Sequence, residues 1–140
     1  MTILMSLVFA LYAETELSEP KPSMVQPRQI VFSISSEDEK HINHVLSTAN
    51  NVLKFYRPEN VEMVIVGYAG GIEGLLSKHP KTAERVASLM LYDVVFIACG
   101  NTMRTKKIEP SELIEDTQIV TAGIAEIIER VKAGWTYIKL

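Results

Sequence analysis

The chain has 140 residues, 47% hydrophobic and 22% charged, which suits one compact soluble domain with a single hydrophobic core. Fourteen Lys and Arg stand against seventeen Asp and Glu, a formal net charge of -3, whereas nucleic-acid binders normally carry a basic face. One cysteine excludes an internal disulfide framework and any all-thiolate zinc site within one chain.

Residues 1–13 form an apolar run, with Leu7-Val8-Phe9-Ala10-Leu11 near its end. It falls short of the roughly 20 apolar residues that a spanning helix requires. Its length and the small residues Ala10 and Ala13 suit a signal-peptide core, although no Lys or Arg precedes it. If it is a signal, the protein is expected in the periplasm or outside the cell. The alternative is a cytoplasmic chain whose N-terminal helix packs on the fold or on a partner, and no other membrane segment is expected. Residues 14–27 carry three glutamates and three prolines without periodicity and read as a linker. Glu14, Glu16 and Glu19 all precede the first base, Lys21, so the folded part is close to neutral.

From residue 28 to residue 140 the chain alternates strand and helix. Gln29–Ile34 is β-branched and aromatic, a first strand. Ser35 or Ser36 is expected to cap the helix that follows, with Glu37, Asp38 and Glu39 in its first turn. Ile42, Val45, Leu46, Ala49, Val52 and Leu53 make its apolar stripe, and Pro58 sets its end near Tyr56. Val61–Gly67 is a second strand, followed by the small-residue loop Tyr68-Ala69-Gly70-Gly71 and a short helix through Leu75 and Leu76. Lys81–Tyr92 is amphipathic, and Val94–Ala98 is the most apolar strand. Thr117–Thr121 is a fourth strand. Gly123–Lys132 is a helix with Ile124, Ile127, Ile128 and Val131 on one side, stopped by Gly134, and Trp135–Ile138 is the last strand. Continuous apolar strands joined by helices predict a three-layer α/β/α sandwich around a mostly parallel sheet of about five strands.

In open α/β sheets ligands bind beyond the carboxyl ends of the strands. Three segments rich in small residues arrive there: Gly67–Gly71, Ala98–Thr102 and Val120–Gly123. The sole cysteine, Cys99, lies between the central strand and a helix start expected at Asn101 or Thr102. A helix N-terminus favours thiolate over thiol, and Arg104 one turn later adds positive charge. Burial as an inert core residue is the ordinary alternative for a free cysteine. Asn101 and Thr102 serve either as polar groups beside the sulfur or as a helix cap. Tyr68, Gly70 and Gly71 form either a pocket wall or a tight turn.

No Gly-x-Gly-x-x-Gly follows the first strand and no phosphate-cradling Gly-x-x-x-x-Gly-Lys pattern occurs, so no nucleotide cofactor is expected. His41 and His44, three apart on the first helix, are too few for a metal site. A hydrolase elbow, Gly-x-Ser-x-Gly, is absent. A cysteine–histidine dyad stays open, because its partners need only meet in space.

The segment Val94-Val95-Phe96-Ile97-Ala98-Cys99-Gly100-Asn101-Thr102-Met103-Arg104 resembles the DsrE/DsrF-like family. The match continues through Ala122–Arg130 and Gly134–Ile138 and covers roughly residues 28–140. It is nearest the single-domain branch labelled intracellular sulfur oxidation proteins. The resemblance implies a three-layer fold that associates into trimers or hexamers. It also implies a cysteine that carries sulfur as a persulfide to a partner protein, and Cys99 takes that role. The remaining site candidates are Tyr68, Gly70, Gly71, Gly100, Asn101, Thr102, Arg104 and Gly123 as ligand-binding residues. Expected is a sulfur carrier or sulfurtransferase without cofactor or metal, a homo-oligomer with a sulfur-acceptor partner. The alternatives are a non-catalytic small-ligand module and an oligomeric assembly protein.

Overall fold

The computed structural model describes residues 12–140, so the signal-peptide reading of residues 1–13 falls almost wholly outside the described residues. Strands β1 (Arg28–Ile34), β2 (Val61–Gly67), β3 (Val95–Cys99), β4 (Gln118–Val120) and β5 (Thr136–Ile138) form one sheet in the order β4-β3-β2-β1-β5. All four pairings are parallel, with Ile34 beside Gly67 and Gly67 beside Ala98 in register. Parallel pairing follows from the connections, each of which contains a helix: α1 (Glu39–Tyr56), α2 (Pro80–Met90), α3 (Gly100–Lys106) and α4 (Gly123–Lys132). The α/β/α sandwich expected from the apolar runs is the observed fold.

Side chains alternate along each strand, and the two faces build two cores. Ile30, Phe32, Ile34, Met63, Ile65, Phe96 and Ala98 pack against the buried stripes of α1 and α2. Val31, Val64, Val66 and Ile97 face the other way, against Ile127 of α4 and the flanking Trp135 and Tyr137. Among the described residues the one buried polar side chain, Ser33, sits on this second face and shares a hydrogen bond of 2.8 Å with the Tyr137 hydroxyl.

One expectation changes. The cap of α1 is Asp38, whose carboxylate accepts from the Lys40 amide, and neither Ser35 nor Ser36 caps it. Ser36 instead accepts from the Asp38 amide, so the serine orders the approach and only Glu39 remains as an acid in the first turn. The apolar side of α4 is only partly covered. Ile127 is buried, whereas Ile124, Ile128 and Val131 stay about half exposed, because among the described residues a single helix covers this face of the sheet. The segment after Tyr68 is a run of 3-10 helix, Ala69–Leu75, in which Ile72 and Leu75 are buried.

The expected linker, residues 14–27, has no helix or strand and is mostly exposed. It is nonetheless held, because the Arg28 guanidinium donates to the carbonyls of Ser18 and Pro20 at 2.8 and 2.9 Å.

Candidate functional site

Cys99 ends β3 and is the residue before α3, which places its sulfur at the carboxyl edge of the sheet. It is 6% exposed. The chain turns so closely here that Gly100 abuts the Val120 carbonyl of β4, and the Asn101 amide donates to the Thr121 carbonyl at 3.1 Å. On the other side Gly123 begins α4 directly against the cysteine: a Cβ at Gly123 would stand 3.1 Å from the Cys99 Cβ and 3.0 Å from Val66. A side chain at Gly123 would thus crowd Val66 and Cys99, and glycine lets α4 start close against the cysteine.

Burial pushes the Cys99 thiol up, because it disfavours the charged thiolate. The amides of Gly123, Thr102 and Asn101 and the Thr102 hydroxyl act the other way and prevail, so the thiol lies below its ordinary value. These are local donors. A helix of seven residues contributes its first amides rather than a long macrodipole.

Thr102 is itself held, since its Oγ1 accepts from the Ala69 amide at 3.0 Å. That bond joins the loop after β2 to the start of α3. Sequence reasoning had no access to this role of Ala69, which is played by a backbone group and needs no particular side chain. The conformation does leave a trace, since Ala69 has a φ of 50°.

The fold thus brings Cys99, Gly100, Asn101, Thr102, Gly123 and Tyr68 to one place, with Tyr68 half-buried against the second core beside Gly123. Gly70 and Gly71 lie elsewhere. Gly70 faces the Glu37 amide, and a Cβ at Gly71 would stand 1.8 Å from the Ile34 carbonyl oxygen, so this pair packs the loop onto the end of β1. Arg104 donates to the Asn101 side-chain oxygen, and none of the groups that lower the Cys99 thiol is a charged side chain. His41 accepts from the Ser35 amide at 3.4 Å and His79 pairs with Glu73 at 2.7 Å, so both are occupied away from the sulfur. Among the described residues no group of three His, Cys, Asp or Glu side chains could hold a metal ion. No described helix is long and apolar enough to cross a membrane.

The arrangement can hold a thiolate, and hence a nucleophile or a leaving group at sulfur, in a site with little access to water. Comparison with curated proteins finds no match. Among solved structures, the protein of unknown function MTH1491 from Methanobacterium thermoautotrophicum is 27% identical and superposes with a TM-score of 0.76, over 81% of this chain and 99% of that one. The ychN protein from E. coli (11% identity, TM-score 0.69, the same coverage) shares the fold. So does a protein of unknown function from Bacteroides thetaiotaomicron, BT1422, at 11% identity and a TM-score of 0.65, over 80% of this chain and 94% of that one. The sequence model of the DsrE/DsrF-like family matches residues 29–140, nearly all of the folded part, and the chain belongs to that family.

Proposed function

We propose that the protein carries sulfane sulfur on Cys99 and passes it to an acceptor thiol. The observation that carries this reading is the placement of the only cysteine of a DsrE/DsrF-like chain, buried at the carboxyl edge of the sheet between the start of α3 and Gly123 of α4. The Cys99 thiolate attacks the outer sulfur of a persulfide or polysulfide donor. A new S–S bond forms at Cys99, the donor's S–S bond breaks, and the donor leaves as its shorter thiolate. An acceptor thiolate then attacks the outer sulfur and Cys99 departs as thiolate, so sulfur moves with no net oxidation or reduction. A lowered thiol pKa serves both halves, because it populates the nucleophile and improves the leaving group.

The reading also takes the working form to be a homo-oligomer. Ile119, Ile124, Ile128 and Val131 support it, since they leave large apolar side chains half exposed on β4 and along α4.

Intact mass after treatment with polysulfide or thiosulfate tests the proposal. The expected result is a gain of one sulfur atom, reversed by reductant and absent in Cys99→Ser. No adduct, together with a thiol that resists small alkylating reagents, overturns the reading in favour of a small-ligand module. That module would keep its ligand affinity in Cys99→Ser.

A further inference from the structure

The residues around Cys99 carry no charge. Val66, Cys99 and Tyr68 meet at Gly123, where a Cβ would stand 3.0, 3.1 and 3.5 Å from their nearest carbons. Val120 lies beside Cys99 in register, and Gly100 abuts the Val120 carbonyl. The Asn101 amide reaches the Thr121 carbonyl, and Thr102 is tied to the Ala69 amide. None of these residues is acidic or basic.

The charged side chains of the same segments are committed to other partners. Arg104 donates to the Asn101 side-chain oxygen, Glu126 holds Arg130 at 2.9 Å, and Glu73 pairs with His79 at 2.7 Å. Lys106 and Lys107 close α3, about 10 Å along the helix axis from Cys99. An unpaired charge is costly in a site nearly closed to water, and oxyanions are ordinarily held there by arginine or lysine. Cys99 is buried, and among the described residues neither stands free beside it.

Resting on the sulfur-carrier reading, we propose that Cys99 exchanges sulfur with the persulfide–thiol couple and excludes oxyanions, thiosulfate as donor and sulfite as acceptor. In the permitted exchange the Cys99 thiolate forms a bond to the outer sulfur of a hydropersulfide, R–S–SH. The donor's S–S bond breaks and its electron pair leaves on R–S⁻. The proton stays on the transferred sulfur, so a single negative charge passes through the site. Attack on thiosulfate forms the same bond and expels sulfite, but it adds both charges of the dianion to that of the thiolate. Three negative charges then meet among neutral walls, with no counter-charge to offset them. Delivery to an acceptor is the reverse of loading, so the same walls admit a thiol and reject sulfite.

The test follows loading of the full 140-residue chain by intact mass, with the hydropersulfide of 2-mercaptoethanol and with thiosulfate as donors. A neutral free thiol, N-acetylcysteine amide, supplies the reference rates. The ratio of thiosulfate to persulfide rates should be at least about tenfold lower for the protein than for the free thiol. S-methyl methanethiosulfonate has a tetrahedral sulfonyl group of similar size and no charge. It should modify Cys99 as readily as the persulfide does, each rate taken relative to the free thiol. The loaded protein should give up its sulfur to N-acetylcysteine amide and keep it for the same time in sulfite. A rate ratio equal to or above that of the free thiol, or unloading by sulfite as fast as by thiol, overturns the inference and leaves sulfur carriage standing. Slow reaction with the neutral reagent overturns it as well, since bulk and not charge would then exclude thiosulfate. Loading by neither donor, with wild type matching Cys99→Ser, overturns the carrier reading and the inference together.

Discussion

Cys99 belongs to β3 and adjoins α3, and this double membership sets its chemistry. As a strand residue it is buried, and as the residue before a helix it meets amides that have no partners within that helix. The rate of alkylation by a small haloacetamide should rise with pH to a midpoint below that of a free thiol. Thr102→Val removes the hydroxyl at nearly constant volume and should move the midpoint up, whereas Thr102→Ser should keep it close to wild type. An unchanged midpoint in Thr102→Val would show that the amides act without the hydroxyl. The same shift governs stability. A thiol whose folded pKa lies below the unfolded one stabilises the fold above the unfolded value, and this contribution is lost as pH falls through the folded value. The stability difference between wild type and Cys99→Ser, followed by urea unfolding, should therefore grow in favour of wild type toward pH ~8.5 and level off above it. Glu73 follows the same rule in acid: the hydrogen bond from His79 holds its carboxyl below the usual value, so its contribution disappears as pH falls through that lowered value.

At the scale of elements, the sandwich rests on local signals and the departures come from contacts between elements. Gly71→Ala drives a Cβ into the Ile34 carbonyl and should cost about 3 kcal/mol or prevent folding. Gly134→Ala meets no atom within 4 Å and strains only a backbone with φ of 99°, so about 1 kcal/mol is expected by urea unfolding. Asp38→Ala should cost about 1 kcal/mol through the lost cap, and Ser35→Ala much less. The strands were legible because apolar runs of β-branched residues bounded by glycine and helical segments permit few other readings. The end of α1 was legible because Pro58 disfavours helix at the residue before it. The cap was not, since serine and aspartate both accept from helix amides and only the path of the chain out of β1 selects Asp38. Cys99, Thr102 and Gly123 could be placed at one edge of the sheet from strand order alone. That Gly70 and Gly71 turn toward β1 depends on a close approach between backbones, which no residue pattern encodes.

Among the described residues the two faces of the sheet are unevenly covered, with α1 and α2 over one and α4 alone over the other. Ile124→Lys with Ile128→Lys should dissociate the proposed homo-oligomer, read as a fall in mass by light scattering, while Ile127 keeps the monomer folded. An unchanged mass would place any self-association on another face. The strand order has its own consequence. β1 is flanked by β2 and by β5, so the first strand completes its pairing only with the last. During synthesis the free edge of β1 waits for Thr136–Ile138, and the Ser33 hydroxyl waits for Tyr137. A chain ending at Gly134 should accordingly collapse around α1 and α2 yet aggregate through that unpaired edge. The fold then closes only when Thr136–Ile138 is available to β1, and a chain cut just before that strand should be as damaged as one cut far upstream.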